Sequence, residues 1–311
     1  MNAKASPEPA STSEPALSID GIEGAFGRHQ YVCDRALATS LFLSLRLGRP
    51  ILLEGEAGVG KTEVAKVLAG VLGARLIRLQ CYEGLDVNTA VYEWNYARQM
   101  LEIRLLEARG EAKSVTAHDI FGPDYIIKRP LLQALESHDG PAPVLLIDEI
   151  DRADEEFEAY LLEILSDYQV TVPEIGTITA DQPPRVVITS NRTREIHDAL
   201  KRRCLYHWID YPTPQKELAI VLSRVPGVPD RLATQVVAFV QRLRTADLTK
   251  LPGVAETLDW ASALMALGAP EVTPEVVDPT LGVLLKYEED VRQIRGDRAE
   301  RILAESLAAH A

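Results

Sequence analysis

One stretch, GEAGVGKT at 55–62, restricts the possible folds of this chain more than any other. It fits the pattern G-x-x-x-x-G-K-[ST]. It stands between an apolar run, ILLE (51–54), and a segment in which Val64, Val67, Leu68, Val71 and Leu72 follow helical spacing up to Gly73. Glycines let such a loop wrap so that its backbone N–H groups point inward at phosphate oxygens, and the helix N-terminus favours the anion. A strand that passes through this turn into a helix belongs to a βαβ unit, hence to a parallel sheet covered by helices.

The candidate nucleotide-binding set is therefore Gly55, Glu56, Ala57, Gly58, Val59, Gly60, Lys61, Thr62 and Glu63. Lys61 is expected to reach the β- and γ-phosphates of ATP or GTP, and Thr62 to set its hydroxyl on Mg²⁺.

The rest of the chain supports an α/β reading up to Tyr211. Further β-rich runs occur at RLIRLQ (75–80), VLLID (144–148), RVVITS (185–190) and CLYHWI (204–209), apolar enough for strands buried on both faces. Phe157, Tyr160, Leu161, Ile164 and Leu165 give another helical face behind an acidic first turn, ADEE. The connection from Gln80 to Val144 is long and carries YEWNYARQMLEIRLLEARGE, expected to be partly helical. A second insertion, QVTVPEIGTITADQPP, alternates around Pro-Glu-Ile-Gly and predicts a hairpin. Beyond Tyr211 the pattern is helical only, with Leu232, Val236, Val240 and Leu243 lining one helix. The expected organisation is a disordered tail at 1–18, a three-layer α/β core at 19–211 and an all-α domain at 212–311.

Three further constellations carry chemistry. VLLIDEID ends an apolar strand in Asp148, placed to hold the Mg²⁺ shell, followed by Glu149, placed to polarise an attacking water. ITSNRTRE ends another strand in Asn191, which reads either as a water or γ-phosphate ligand or as a turn residue. In DALKRRCLYHWIDY, Arg202 and Arg203 precede the fifth strand, too far along a sheet to serve their own loop. They read as a solvated basic face, or as arginines that reach the nucleotide of a neighbouring subunit.

Together these motifs resemble AAA+ ATPases: the GEAGVGKT loop, DEIDRAD, Asn191 and the order of core then helical lid. DEIDRAD and ALKRRC are similar to the MoxR branch, and CYEGLDVNTAVYEWNYARQM with RRCLYHWIDYP to its CoxD-like subgroup. The resemblance implies a hexameric, Mg²⁺-dependent ATPase. It makes Lys61 and Thr62 the Walker A pair, Asp148 and Glu149 the Walker B pair, and Asn191 sensor 1. Arg203 becomes the arginine finger, with Arg202 as second choice, and the two insertions become the helix-2 insert and the pre-sensor-1 hairpin. It also implies a remodelling chaperone that matures a molybdenum hydroxylase such as carbon monoxide dehydrogenase. The partners would be an apo-metalloenzyme client and a von Willebrand A-domain protein. Other readings are an activase that releases inhibitors from another metabolic enzyme, a nucleic-acid remodeller, and a nucleotide switch without hydrolysis. PGVAETLDWAS departs from the family, because it lacks the arginine that many AAA+ lids carry there to contact the γ-phosphate.

Composition narrows the partners. A net charge of -13 disfavours broad binding to a phosphate backbone, which depends on Lys and Arg displacing counterions. Cys33, Cys81 and Cys204 are far apart and lack any CxxC spacing, so reduced buried thiols are expected. The six histidines show no metal-ligand spacing. The longest apolar stretch, Leu41–Leu47, is short and contains Arg46, which predicts no transmembrane segment and a cytoplasmic protein. Tyr92, Trp94 and Tyr96 lie at period two in the first insertion, and packing against the core is the expected role over gripping a substrate chain.

Overall fold

In the computed structural model, residues 18–109, 121–136, 140–173 and 175–308 are described. The tail assigned to 1–18 lies outside them except for Ser18, whose hydroxyl accepts from the Gly21 N–H (3.0 Å) and caps the first helix.

The chain begins with α1 (Ile19–Arg28) and α2 (Arg35–Leu47), then runs through β1 (Ile51–Gly55), α3 (Lys61–Leu72) and β2 (Leu76–Gln80). The first insertion follows as α4 (Val87–Val91), β3 (Tyr92–Trp94), α5 (Tyr96–Ala108) and β4 (Ile126–Lys128). Next come α6 (Pro130–Leu135), β5 (Val144–Asp148), α7 (Glu155–Asp167), β6 (Gln169–Val172), β7 (Gly176–Thr179), β8 (Arg185–Ser190), α8 (Asp198–Arg203) and β9 (Leu205–Ile209). The helical region holds α9 (Pro214–Arg224), α10 (Asp230–Leu243), α11 (Val254–Ala266), α12 (Pro274–Leu284), α13 (Glu288–Ile294) and α14 (Asp297–Ala308).

All five expected core strands join one parallel sheet in the order β2-β5-β8-β1-β9. Every residue of β1 and β5 is buried, as apolar strands covered on both faces require. On one face Leu53, Val144, Leu146 and Val187 pack against Ile22 and Phe26 of α1, Leu37 and Leu41 of α2, and Val64 and Leu68 of α3. On the other, Leu52, Leu79, Ile147 and Ile188 pack against Leu131 and Leu132 of α6 and Phe157, Leu161 and Ile164 of α7. The three-layer α/β core is present as the alternation of strands and helices requires.

The second insertion is the expected hairpin, with Val172 opposite Gly176. The first contains an antiparallel ribbon of β3 and β4, with Tyr92 opposite Lys128, that no local turn signal announces. Its aromatics divide. Tyr92 packs against the sheet core and contacts Trp94 edge-on at 6.1 Å, Trp94 contacts Phe121 at 5.2 Å, and Tyr96 is 64% exposed.

The helices from α9 onward bury a separate core around Leu232, Val236, Val240, Leu243 and Trp260. Beside it lies a buried ion pair. Arg244 donates to both carboxylate oxygens of fully buried Glu217 (2.7 Å each), to the Pro252 carbonyl (2.8 Å) and to Thr257 (3.3 Å). Its guanidinium lies 4.8 Å from the centre of the Tyr211 ring. Removing one partner of such a pair strands the other charge in a dry interior. Arg244→Ala is thus expected to cost about 3–5 kcal/mol of stability, read by urea unfolding. A loss under about 1 kcal/mol would mean that water reaches Glu217.

Candidate functional site

β1 delivers the chain to the loop with no room for a side chain at its end. A Cβ on Gly55 would sit 2.1 Å from the Ile209 carbonyl oxygen of β9. Gly58 (φ 78°) and Gly60 (φ 96°) then take left-handed conformations that ordinary residues adopt at a cost, and α3 starts directly at Lys61. The loop is thus a cradle closed by a helix N-terminus. Lys61 is 7% exposed and donates to the Gly55 and Glu56 carbonyls (2.8 and 2.6 Å). Burial pulls its ammonium below the usual lysine range, against the nearby Asp151, Glu56, Asp148 and Glu149 carboxylates.

Thr62 donates its hydroxyl to Asp148 Oδ1 (2.9 Å), so the first turn of α3 touches the end of β5 across the sheet. Asp148 is 2% exposed, and the same oxygen accepts from Thr189 Oγ1 (2.6 Å). Its other oxygen accepts from Arg78 Nε and Nη2 (3.0 and 2.5 Å). Glu149 leaves the strand in a left-handed conformation (φ 57°), with its N–H bonded to Thr189 Oγ1 (2.9 Å). Its carboxylate meets Gln80 Nε2 (3.0 Å), Arg152 Nε (3.1 Å) and Asn191 Nδ2 (3.4 Å). The loop, Asp148, Glu149 and Asn191 therefore converge at the C-terminal ends of β1, β5 and β8, where parallel sheets present their ligand sites.

Sequence reasoning missed several residues of this assembly. Asp151 is buried and accepts from the Asn191 and Thr193 N–H groups (3.1 and 2.9 Å) and the Thr193 hydroxyl (2.7 Å), which fixes the loop that carries Asn191. Burial raises its pKa, but those hydrogen bonds outweigh it, and the carboxyl stays below its ordinary value. Arg78 and Gln80 were also missed. They stand two residues apart on one face of β2 at the ligand-bearing end, and that alternation was the available signal.

Glu63 turns away from the loop toward Lys66 and, in α9, Arg224 (3.1 Å each). Beside it a cavity of about 200 Å³ opens, lined by Tyr31, Val32, Val59, Ile209, Pro212 and Val254 among others. Its walls suit a flat, largely apolar base next to a phosphate cradle. The start of α11 seats against the loop, where the Ala255 N–H donates to the Gly58 carbonyl (3.2 Å). A Cβ on Gly253 would lie 2.7 Å from the Ala57 carbonyl oxygen, so the backbone before α11 packs directly on the loop, at the place where the family arginine is lacking.

Arg202 and Arg203 are exposed at the opposite end of the sheet. β9 pairs Leu205 with Ile51 and Ile209 with Gly55, so the arginines lie about 13 Å or more along the strands from the loop. Arg203 donates to the Leu162 carbonyl (3.2 Å) and to the Ser166 hydroxyl of α7. Among the described residues, the Arg202 side chain has no hydrogen bond or ion pair. Arg49 donates to the Arg202 and Arg203 carbonyls (2.6 and 3.1 Å), anchoring the C-terminal end of α8.

The donor sets fit the expected ligands. The glycine cradle and the Lys61 ammonium beside an apolar cavity suit a nucleoside triphosphate. The Thr62 hydroxyl and Asp148 carboxylate suit Mg²⁺ that takes its remaining ligands from phosphate and water. No cluster of three or more His, Cys, Asp or Glu able to hold a metal occurs among the described residues. No described helix is long and apolar enough to cross a membrane. The three cysteines are free, with burial pushing each thiol up to about 12. Cys81 and Cys204 are buried as expected, whereas Cys33 is only half-buried.

A parallel sheet with this loop between its central strand and a covering helix defines the P-loop class of nucleotide-binding folds. Within it, residues 50–204 match the family model described as AAA domain (dynein-related subfamily), so an AAA domain occupies about half of the chain. The chain is 25% identical over 230 residues to an uncharacterized protein of Staphylococcus epidermidis, covering 71% of this chain and 78% of that one. It is 24% identical over 249 residues to an uncharacterized protein of Staphylococcus haemolyticus, covering 77% and 85%. Among solved structures it is similar to the Thermotoga maritima RuvB Holliday junction branch migration motor, at 18% identity and a TM-score of 0.46, covering 87% of this chain and 72% of that one.

Proposed function

We propose that this chain is the subunit of a ring-shaped, Mg²⁺-dependent ATPase that remodels a protein client, with each ATP site completed by an arginine of the next subunit. The observation that carries this is the split of the site. The loop, Asp148, Glu149 and Asn191 are assembled at one end of the sheet, while Arg202 and Arg203 stand exposed at the other. Lys61 binds the terminal phosphates, and Thr62 and Asp148 hold the metal shell. Mg²⁺, when bound, supplies charge neutralisation of the phosphates. Glu149 accepts the proton of the attacking water, which Asn191 orients.

The hexamer, the MoxR assignment and the client rest on the motif resemblance described above. The CoxD-like pattern supports maturation of a molybdenum hydroxylase, reached with a von Willebrand A-domain partner. Activation of another metabolic enzyme is the alternative, and the net charge of -13 weighs against nucleic acid as the substrate. Lys61→Ala is expected to weaken ATP binding at least about 100-fold, since each lost tenfold corresponds to about 1.4 kcal/mol of charge-assisted contact. Calorimetric titration with a non-hydrolysed ATP analogue checks it, and binding unchanged in that variant would remove the loop from its role. For the client, full metallation of every molybdenum hydroxylase in a deletion strain would exclude the maturation reading.

A further inference from the structure

Asp148 is served by protein groups on both oxygens. Oδ1 takes the Thr62 and Thr189 hydroxyls, and Oδ2 takes two hydrogen bonds from Arg78. The carboxylate is 2% exposed, and a charge that far from water needs a counter-ion. Lys61 is the other cation nearby, but its Nζ is committed to the Gly55 and Glu56 carbonyls. Arg78 therefore supplies the charge, through a planar guanidinium that spans Asp148 with two donors.

Its setting is that of a displaceable group. Arg78 projects from β2, the edge strand of the sheet, and half of its side chain is exposed (50%) while Asp148 is sealed. A guanidinium there can swing toward solvent without disturbing the core. Mg²⁺ held by Thr62 and Asp148 contends for the same carboxylate and repels the arginine. We propose that Arg78 is the resident cation of the metal site: it neutralises Asp148 while no metal is bound and yields to Mg²⁺ as nucleotide enters. This rests on the reading of the loop as a Mg²⁺–ATP site. It makes Arg78 a positioning residue whose charge sets how much metal the site demands.

The test uses the full chain and a fluorescent, non-hydrolysed ATP analogue, titrated with MgCl₂ from an EDTA baseline. In Arg78→Gln the Mg²⁺ concentration for half-maximal enhancement of binding is expected to fall about tenfold, as a competing charge beside the metal is removed. Arg78→Lys keeps the charge with fewer donors and is expected to return most of the way to the unaltered value. Melting without nucleotide provides a second readout. Arg78→Gln is expected to melt lower than the unaltered chain in EDTA and to regain more on adding MgCl₂. An unchanged or raised Mg²⁺ requirement in Arg78→Gln overturns the proposal, and so does a lysine variant indistinguishable from the glutamine one. If the unaltered chain binds no analogue, the reading of the loop itself fails. If it binds with Mg²⁺ and Arg78→Gln behaves identically, only the role of Arg78 fails.

Discussion

Glu149→Gln is expected to bind ATP about as tightly as the unaltered chain and to hydrolyse it about 10²–10⁴-fold more slowly, the usual worth of a positioned general base. The substitution is nearly isosteric. Gln80 Nε2 and Asn191 Nδ2 donate to the carboxylate, with Arg152 Nε paired to it by charge at 3.1 Å, and an amide oxygen still accepts from one of the two donors. What the amide cannot do is take a proton from water. The backbone N–H of residue 149 keeps its bond to Thr189, so the strained turn (φ 57°) and the Asp148 site persist. Steady-state phosphate release and equilibrium binding of a labelled analogue, measured side by side, separate the two effects. Turnover near the unaltered rate would exclude Glu149 as the base. Because it stalls after binding, this variant with ATP is also the form in which to capture a client.

Arg203→Ala is expected to lower hydrolysis about 10³-fold or more, the scale of an arginine supplied in trans, while ATP affinity in the isolated subunit stays within about twofold. The guanidinium now rests on the Leu162 carbonyl and the Ser166 hydroxyl at the end of α7. Those are exposed, neutral acceptors worth about 1 kcal/mol each, readily exchanged for a phosphate, which binds a guanidinium bidentately. Arg202→Ala is expected to change the rate less than about threefold, as for an exposed arginine with no partner. Should Arg202→Ala be the inactive variant, the contacts to α7 are the working position of Arg203 and its neighbour is the finger. Mixing each alanine variant with Lys61→Ala subunits gives the decisive control: a residue that acts in trans regains activity only where an intact arginine faces an intact loop.

The strands of the core were legible because their signal is local. Five apolar runs, each bounded by loops, need no knowledge of one another to read as buried parallel strands, and GEAGVGKT fixed which of them carries the site. The β3–β4 ribbon was not legible, because strands of three residues carry almost no periodicity and their pairing spans a long loop. In the site, residues that end strands announced themselves: Asp148, Glu149 and Asn191. Residues that act through others did not. Asp151 sits inside the DEID motif, yet its role depends on the N–H groups of Asn191 and Thr193, forty residues further along. Arg78 looks from sequence like a solvent-facing strand residue, which by exposure it half is. Only the fold sets it against Asp148.

The seating of α11 on the loop bears on how the helical half would respond to a bound nucleotide. Where a lid arginine reaches the γ-phosphate, the lid responds to charge, and salt in the medium weakens that response. Here the two halves meet through Gly253 against Ala57 and Gly58, through a backbone hydrogen bond from Ala255, and through the ion pairs Arg224–Glu63 (3.1 Å) and Lys216–Asp34 (2.7 Å). The glycine packing depends on shape, whereas the ion pairs depend on charge. Arg244, bonded to the Pro252 carbonyl and to Glu217, ties the turn before α11 to the buried centre of the helical region, so a displacement of the loop would be felt there. A response of the helical half to the loop would then have a steric part that salt leaves alone and an electrostatic part that salt weakens.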